Sequence, residues 1–203
     1  MIGILDYGMG NLRSVANAFY KLGFNAEIIA NADQVDNADR LILPGVGAFG
    51  TCLENLKENG MFEASVAFMK SGKPFLGICV GMQMLFDKSY EYGEHKGFGI
   101  FPGDIVRFDS EKTECKIPHM GWNKIKIIEN HFLLNGISDG SYMYFVHSYY
   151  APVNKYTLAE TEYAGVRFSS FVVKENVAAT QFHPEKSQHL GLQILKNFGE
   201  WKC

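Results

Sequence analysis

Short apolar runs alternate with stretches of helical periodicity through the N-terminal half of the chain. The runs "MIGILDY", "NAEIIA", "DRLILP" and "KPFLGIC" have strand length and lack polar alternation, which is typical of strands buried on both faces of a parallel sheet. Between the first two runs, apolar residues recur on one helical face, and Gly23 follows as the expected stop. That face consists of Leu12, Val15, Ala16, Phe19 and Leu22. "TCLENLKENG", "MFEASVAFMKSG" and "GMQMLFDKS" are predicted as further helices.

The pattern changes after about Tyr90, where short strands with turn residues between them replace the helices. These strands are expected as antiparallel additions to the same sheet, and "EKSQHLGLQILKNFGEWK" is expected as a closing amphipathic helix. No linker, repeat or low-complexity segment interrupts the chain. The sequence therefore predicts one α/β domain over residues 1–203, with an open, mostly parallel sheet flanked by helices.

Composition and charge exclude several classes of function. A net charge of −3 over 203 residues gives no basic surface for nucleic acid. No apolar run is long enough to span a bilayer, and "MIGILDYG" lacks the features of a signal peptide. The cysteines Cys52, Cys79, Cys115 and Cys203 are far apart, without disulfide-framework or zinc spacing. We expect a reduced, cytoplasmic protein with no metal and no cofactor.

Two glycine loops resemble nucleotide-binding motifs. "GVGAFG", with Gly45, Gly47 and Gly50, matches G-x-G-x-x-G, but the next predicted strand ends without the acidic residue that a dinucleotide site needs. "GMGNLR" matches only in part, because Arg13 stands where the third glycine belongs. Tight turns are the preferred interpretation of both loops. A third interpretation of "PGVG" is an oxyanion hole, because glycines allow backbone N–H groups to point into a cleft.

"GICVG" has the form of a nucleophile elbow with Cys79 in place of serine. The flanking glycines would remove Cβ atoms that clash in a strained strand-to-helix turn. The helix N-terminus beyond the turn would favour the thiolate, and the N–H of Val80 could bind an oxyanion. The alternative is a buried cysteine that packs as a small apolar side chain.

A nucleophilic cysteine needs a base and a group that orients the base. In "AATQFHPE" an apolar run stops at His183, and Glu185 lies two residues further on. Residues i and i+2 of an extended segment share a side, so the carboxylate could reach the imidazole. The alternative is an ordinary strand-end turn. Together with the elbow, however, the sequence supplies cysteine, histidine and glutamate in roles that fit together.

"GICVGMQ", "LPGVGAF" and "HPEKS" together resemble class I glutamine amidotransferases, and the similarity runs over essentially the whole chain. The resemblance implies that Cys79 attacks the side-chain amide of glutamine, that His183 transfers protons and that Glu185 orients His183. It also implies an oxyanion site formed by Val80 with the Gly45–Val46–Gly47 segment, and contact of Gln83 with glutamine. No catalytic position departs from the family pattern, and His119 stands where some relatives carry glutamine.

"LDYGMGNLRSV", "PHMGWN" and "YFVHSYY" narrow the resemblance to glutaminase subunits that supply ammonia to a (β/α)8-barrel cyclase in histidine biosynthesis. Pro118, Met120 and Trp122 would form an apolar docking patch if exposed, although a strand with Met120 and Trp122 in the core fits the same pattern. By resemblance, Asn11, Tyr144 and Lys186 also belong to the partner interface.

Three other functions stay open at this point. A paralogous subunit could supply ammonia for amidination of a surface-sugar precursor, with the same residues on the glutaminase side. A cysteine hydrolase of the same fold is a second alternative, and a non-catalytic binding module is a third. Intact Cys79, His183 and Glu185 disfavour the binding module, and Gln83 favours a glutaminase over another hydrolase.

Overall fold

The computed structural model of the chain describes residues 1–109, 111 and 114–203. Strands and helices alternate in its N-terminal half, as the apolar pattern predicts. In chain order these elements are β1 (Ile2–Leu5), α1 (Leu12–Lys21), β2 (Ala26–Ile29), β3 (Arg40–Gly45), α2 (Phe49–Glu58), α3 (Met61–Lys70), β4 (Phe75–Cys79) and α4 (Val80–Met84).

Strands dominate the C-terminal half up to a closing helix. The elements are β5 (Phe86–Ser89), β6 (His95–Lys96), β7 (Phe101–Arg107), β8 (His119–Lys124), β9 (Lys126–Ile127), β10 (Tyr142–His147), β11 (Tyr149–Tyr150), β12 (Thr157–Tyr163), β13 (Val166–Lys174), β14 (Val177–Thr180) and α5 (Gln188–Glu200). Short 3₁₀ turns lie at Ala32–Asn37, Phe132–Leu134 and Pro184–Lys186. Among the residues described, no helix is long and apolar enough to cross a membrane.

The main sheet has the strand order β2–β1–β3–β4–β14–β13–β12–β9. The strands from β2 to β14 run parallel to one another, and β13, β12 and β9 continue the sheet in antiparallel fashion. The central strands β3 and β4 are buried along almost their whole length, because helices cover both faces of the sheet. The predicted α/β architecture with a mostly parallel sheet is therefore confirmed.

Two expectations about the later elements are wrong. The antiparallel strands do not all join the main sheet, because β8 pairs with β10 in a separate ribbon and β5, β6, β7 and β11 form another sheet. The helix predicted over "GMQMLFDKS" ends at Met84, and Phe86–Ser89 is a strand. The carbonyls of Met84 and Phe86 accept backbone hydrogen bonds from Phe98 and Gly99 at 2.8 and 3.2 Å, so they are taken by another segment instead of the next helical turn.

Candidate active site

Cys79 stands at the junction of β4 and α4, at the carboxyl end of a central strand of the main sheet. Its backbone has φ 56° and ψ −110°, a conformation that side-chain-bearing residues rarely adopt. Such a conformation costs about 1–3 kcal/mol and persists only where the surrounding structure enforces it. The strand-to-helix turn of the elbow motif is therefore present, and it holds the thiol at the end of the strand.

The glycines on either side of Cys79 are required by close backbone contacts. A Cβ atom on Gly81 would lie 1.9 Å from the carbonyl oxygen of Leu43 on β3, and one on Gly77 would lie 2.8 Å from the carbonyl oxygen of Gly81. Both contacts are with backbone, which cannot move aside as a flexible side chain can. The spacing of glycines in "GICVG" thus has the steric cause that the sequence suggests.

His183 and Glu185 follow β14, the strand that runs parallel beside β4. Nδ1 of His183 lies 2.8 Å from Oε1 of Glu185, and both side chains are buried. The contact matches the prediction, but the backbone between the two residues is not extended. Pro184 begins a 3₁₀ turn that ends at Lys186, so the carboxylate reaches the imidazole through a turn.

Cys79 and His183 line the same cleft. Nε2 of His183 is buried and makes no hydrogen bond of ordinary geometry with any residue in the described ranges, but it is close enough to Cys79 for their charges to interact. Burial by itself lowers the pKa of His183, but the interactions of the ring with Cys79 and with the Glu185 carboxylate outweigh burial and raise the pKa to about 10. The favoured form of His183 is therefore the imidazolium. Contacts of this kind commonly tighten when substrate binds.

Hydrogen bonds to β10 fix the loop that carries His183. The N–H of His183 donates to the carbonyl of Tyr144 at 2.9 Å, and the hydroxyl of Ser187 donates to the carbonyl of His183 at 2.7 Å. The same hydroxyl accepts from the N–H of Tyr144 at 3.0 Å. The imidazole is therefore anchored from both its backbone and its side chain.

The glycine loop after β3 lies directly beside Cys79. Gly45 is the register partner of Cys79 between β3 and β4, and a Cβ atom on Gly45 would lie 2.8 Å from the backbone nitrogen of Gly81. In this loop the backbone of Gly47 has a positive φ of 96°. The carbonyl of Val46 accepts a hydrogen bond from the thiol of Cys52 at 3.3 Å. Backbone groups of this loop therefore border the space in front of the Cys79 sulfur.

A cleft of about 250 Å³ opens at Cys79. It brings together the residues that the sequence assigns to the nucleophile, the base, the oxyanion site and the substrate contact. These are Cys79, His183, Val80, Val46, Gly47 and Gln83. The cleft also contains groups that sequence reasoning did not assign, namely Glu91, Val146, His147, Ser148 and Tyr149.

The amide of Gln83 is held by the protein at the floor of the cleft. Its Nε2 donates to the carbonyl of Tyr149 at 2.9 Å and to Oε1 of Gln181 at 3.1 Å. Gln181 in turn places its Nε2 at 3.8 Å from the sulfur of Cys79. Sequence reasoning missed Gln181, although a polar residue near the end of the apolar run "AATQF" was a usable signal.

Glu91 is a second residue that the sequence did not reveal. Its carboxylate accepts a hydrogen bond from the N–H of Phe49 at 2.7 Å, so it satisfies a free N–H group at the start of α2. It also lines the cleft. Its position in an irregular segment gave no periodic signal.

Three of the residues predicted to form an interface lie on strand β8 or directly before it. Met120 and Trp122 are 64% and 45% exposed, so the alternative that placed them in the core is wrong. Pro118 lines the cleft itself. The ring of Tyr144 packs edge-to-face against Trp122 with centroids 6.0 Å apart, and the ammonium of Lys186 lies 5.9 Å from the centroid of Tyr144.

Asn11, the remaining predicted interface residue, precedes the first residue of α1. Helix α1 packs against the 3₁₀ turn that carries Lys186. We refer to the exposed side chains of Met120, Trp122 and Lys186, together with the partly buried Tyr144, as the β8 face.

Comparisons with known proteins agree with this geometry. The family profile "Glutamine amidotransferase class-I" matches residues 3–200. "Imidazole glycerol phosphate synthase subunit HisH" of Syntrophotalea carbinolica is 49% identical over 98% of this chain and 100% of its own length. The protein of the same name from Caldanaerobacter subterraneus subsp. tengcongensis is 50% identical over the full length of both chains.

Solved structures are similar in fold at low sequence identity. A crystal structure described as a glutamine amidotransferase has a TM-score of 0.73 at 19% identity, covering 98% of each chain. The structure of PurLQS from Thermotoga maritima has a TM-score of 0.74 at 17% identity, covering 98% of this chain and 97% of the other. At this identity the similarity demonstrates the fold alone.

Proposed function

The chain belongs to the class I glutamine amidotransferase family, and on that premise we propose that residues 1–203 form one cytoplasmic glutaminase domain, the glutaminase subunit of an imidazole glycerol phosphate synthase. In this role it hydrolyses glutamine to glutamate and ammonia for histidine biosynthesis. One observation carries the proposal: Cys79 stands at a strained elbow, in a cleft that it shares with the His183–Glu185 pair.

The first step is attack of the Cys79 sulfur on the side-chain carbonyl carbon of glutamine. The carbon–sulfur bond forms, and the carbonyl oxygen becomes an oxyanion beside the N–H of Val80 and the backbone of the Gly45–Gly47 loop. Preorganised donors at such a position are commonly worth about 10²–10³ in rate. The imidazolium of His183 then protonates the amide nitrogen, the carbon–nitrogen bond breaks, and ammonia leaves a thioester on Cys79.

The second step releases glutamate. Neutral His183 takes a proton from a water molecule, whose oxygen attacks the thioester carbon. The carbon–sulfur bond then breaks, and the sulfur leaves as thiolate beside the regenerated imidazolium. Glu185 stays ionised throughout, because its task is to hold Nδ1 of His183 and to stabilise the positive ring.

Ammonia becomes protonated in water and is then no longer a nucleophile, so its transfer must be shielded. We propose that the β8 face docks a (β/α)8-barrel cyclase, which receives ammonia through an internal channel. The exposed Met120 and Trp122, with Tyr144 beside them, give this face the aromatic and methionine side chains that are enriched at interfaces. In the cyclase, ammonia would be added to a ribulosyl phosphate intermediate.

Regulation by the partner would act on the oxyanion loop. The Gly45–Val46–Gly47 peptides are proposed to switch between an orientation with an N–H turned toward the Cys79 sulfur and one with it turned away. Two glycines make such a rotation sterically accessible. A barrel loaded with its substrate would favour the turned-in orientation, so glutaminase turnover should be higher in the complex than in the isolated chain.

Replacement of Cys79 by alanine tests the proposed chemistry in the assembled complex. Glutamine-dependent turnover should fall by at least about 10³-fold, because the nucleophile is lost, while ammonia-dependent turnover should persist. Cys203→Ala, at the exposed C-terminus, is the matched control and should keep both activities. Substantial glutamate release by the Cys79→Ala variant would contradict the mechanism.

The acceptor of ammonia is a separate question from the glutaminase chemistry. A paralogous subunit that serves amidination of a surface-sugar precursor would share the residues of the cleft. The HisH names of the relatives favour the histidine pathway. Co-purification with the barrel protein, followed by an assay of glutamine-dependent turnover with each barrel's substrate, distinguishes the two.

A further inference from the structure

A buried pair of histidines connects strand β8, which carries the exposed Met120 and Trp122, to the active-site cleft. His119 begins β8 and His147 ends β10, and the two are register partners in the antiparallel ribbon. Nδ1 of His119 lies 3.0 Å from Nε2 of His147. Both side chains are almost fully buried, and His147 lines the cleft. Neither histidine has a role in the glutaminase chemistry described above.

The partners of the pair define its tautomers. Nδ1 of His147 lies 2.8 Å from the carbonyl oxygen of Tyr149, and a carbonyl can only accept, so this nitrogen carries the hydrogen. Nε2 of neutral His147 is then an acceptor, and Nδ1 of His119 must donate to it. This leaves Nε2 of His119 as an acceptor, and the amide nitrogen of Asn123 lies 3.3 Å from it. Every donor therefore meets an acceptor when both rings are neutral.

The surroundings keep the pair neutral. Burial lowers the pKa of His119 to about 4, and burial together with the neighbouring histidines His119 and His183 lowers that of His147 to about 3. The ring of Tyr163 stacks on His119 with centroids 3.9 Å apart. The other rings packed around the pair are Phe108, Phe145 and Phe168.

The hydrogen-bond chain continues from Tyr149 to the nucleophile. The carbonyl that His147 binds also accepts from Gln83, which binds Oε1 of Gln181 at 3.1 Å. Because Oε1 of Gln181 is engaged in this way, its Nε2 is directed toward the sulfur of Cys79 at 3.8 Å. Gln181 is completely buried, so its amide has little freedom to rotate. A donor beside the sulfur stabilises the anionic form that attacks substrate.

We propose that His119 and His147 are positioning residues, which fix the Tyr149 carbonyl and, through Gln83 and Gln181, the amide that donates toward the Cys79 sulfur. The inference rests on the proposed glutaminase function and adds to it a physical connection between strand β8 and the nucleophile. Met120 and Trp122 lie on the same strand as His119, so docking on the β8 face acts on the first member of the chain. The pair transfers no proton in this role.

His119→Phe is the most direct test, assayed in the chain assembled with the cyclase. Phenylalanine keeps the stacking on Phe145 and Tyr163 but removes both ring nitrogens. Glutamine-dependent kcat should fall about tenfold, because His147 loses its donor and the Tyr149 carbonyl is no longer held. His119→Asn retains a donor at the position of Nδ1 and should recover most of the loss.

Further variants separate a positioning role from a structural one. His147→Phe should lower kcat at least as much as His119→Phe. The double variant should be no slower than His147→Phe alone, because every one of these substitutions interrupts the same chain of hydrogen bonds. Co-elution with the cyclase and an unchanged melting midpoint show that each variant is folded. His131→Phe is the matched control. Burial also lowers the pKa of His131, but this histidine packs against Trp201 and takes no part in the hydrogen-bond chain. The kcat of the His131→Phe variant should therefore not change.

The outcomes distinguish the inference from the function on which it rests. If the wild-type complex hydrolyses glutamine and both phenylalanine variants keep kcat within twofold, the positioning role is overturned and the glutaminase assignment stands. Additive losses, or no recovery in His119→Asn, would also overturn it. If the wild-type complex releases no glutamate from glutamine, the proposed function itself fails.

Discussion

Two buried side-chain pairs near the thiol of Cys79 contain histidine, and the histidines of the two pairs differ in charge. His183 pairs with Glu185, and its pKa is raised to about 10. His119 pairs with His147, and their pKa values are lowered to about 4 and about 3. A histidine side chain is therefore a cation in one pair near Cys79 and a neutral hydrogen-bonding group in the other.

Depth of burial does not explain the difference. His183, His119 and His147 are 2%, 3% and 6% exposed, so removal from water disfavours the charged form of all three. What differs is the partner: the Glu185 carboxylate and the Cys79 sulfur face His183, whereas a neutral imidazole and a backbone carbonyl face His147. The chemistry of the neighbours therefore decides which histidine is charged, and this difference suits the proposed acid–base role of His183 and the proposed positioning role of His119 and His147.

Strand β10 links the two pairs. His147 is its last residue, and the carbonyl of Tyr144 on the same strand holds the backbone N–H of His183. The antiparallel partner of β10 is β8, which carries the exposed Met120 and Trp122. The charged pair and the neutral pair are thus attached to one strand, and displacement of that strand would affect both.

Removal of the anion that charges His183 should have the largest effect. Glu185→Gln preserves shape but cannot stabilise the imidazolium, and its amide can present a donor to Nδ1 and impose the wrong tautomer. We expect glutaminase kcat to fall about 10²–10⁴-fold, by analogy with the orienting carboxylate of other triads. The measurement is glutamate release under saturating glutamine.

The control for this change is Glu200→Gln, at the exposed end of α5, which should leave kcat unchanged. If Glu185→Gln retained more than a tenth of the wild-type rate, the carboxylate would not be what makes the two histidine pairs different. The interaction with Cys79 alone would then have to explain the raised pKa of His183.

The geometry of the elbow holds Cys79 between the two pairs, and Gly81→Ala should destroy it. The added Cβ would lie 1.9 Å from the Leu43 carbonyl, a backbone group that cannot move without displacing β3. We expect a loss of more than about 3 kcal/mol in the free energy of unfolding, measured by urea denaturation, together with loss of glutaminase activity.

Gly50→Ala is the matched glycine variant. Its Cβ would meet the imidazole of His95 at 2.5 Å, a side chain that can rotate away, and it lies on α2 outside the elbow. We expect a loss of only about 1 kcal/mol or less. Equal destabilisation by the two substitutions would mean that close packing around the elbow is not exceptional in this molecule.

Local patterns were sufficient to predict most of the parallel core and the contact between His183 and Glu185. The apolar runs of β1, β3 and β4, the glycines around Cys79 and the "HPE" segment all act over a few residues, which is the range that sequence patterns report. The His183–Glu185 contact was predicted from an extended backbone, yet Pro184 begins a turn there. The prediction survives because Nδ1 and the carboxylate stay on one side of that turn.

Long-range pairing explains what the sequence did not reveal. His119 and His147 meet only because β8 and β10 pair in one particular register, separated by 28 positions along the chain. Gln181 reaches Cys79 across 102 positions. The end of α4 at Met84 likewise depends on a distant segment that takes its carbonyl groups. None of these contacts leaves a periodic trace in the local sequence.

The dependence of stability on pH should also separate the two pairs. The unfolded chain binds protons at His119 and His147 near pH 6.5, whereas the folded protein does so only near pH 4 and below. Their contribution is therefore complete above pH 6.5 and is lost as pH falls toward 4. The slope approaches about 1.4 kcal/mol per pH unit for each histidine. His183 has the opposite sign, since its contribution is complete below pH 6.5 and is lost as pH rises through about 10.

Urea unfolding at intervals between pH 5 and 7 measures this slope, in a range where His183 is protonated in the folded state. The titratable neighbours that face the neutral pair are His183 and Tyr163, and the raised pKa of each keeps it protonated in the folded protein over this range. In the His119→Phe/His147→Phe double variant the loss of stability toward pH 5 should largely disappear, while Glu185→Gln should keep it. If the double variant and the wild type lose stability equally, His119 and His147 are charged in the folded protein. The contrast in charge between the two pairs would then disappear, and a protonated His147 could no longer accept the hydrogen bond that connects β8 to the cleft.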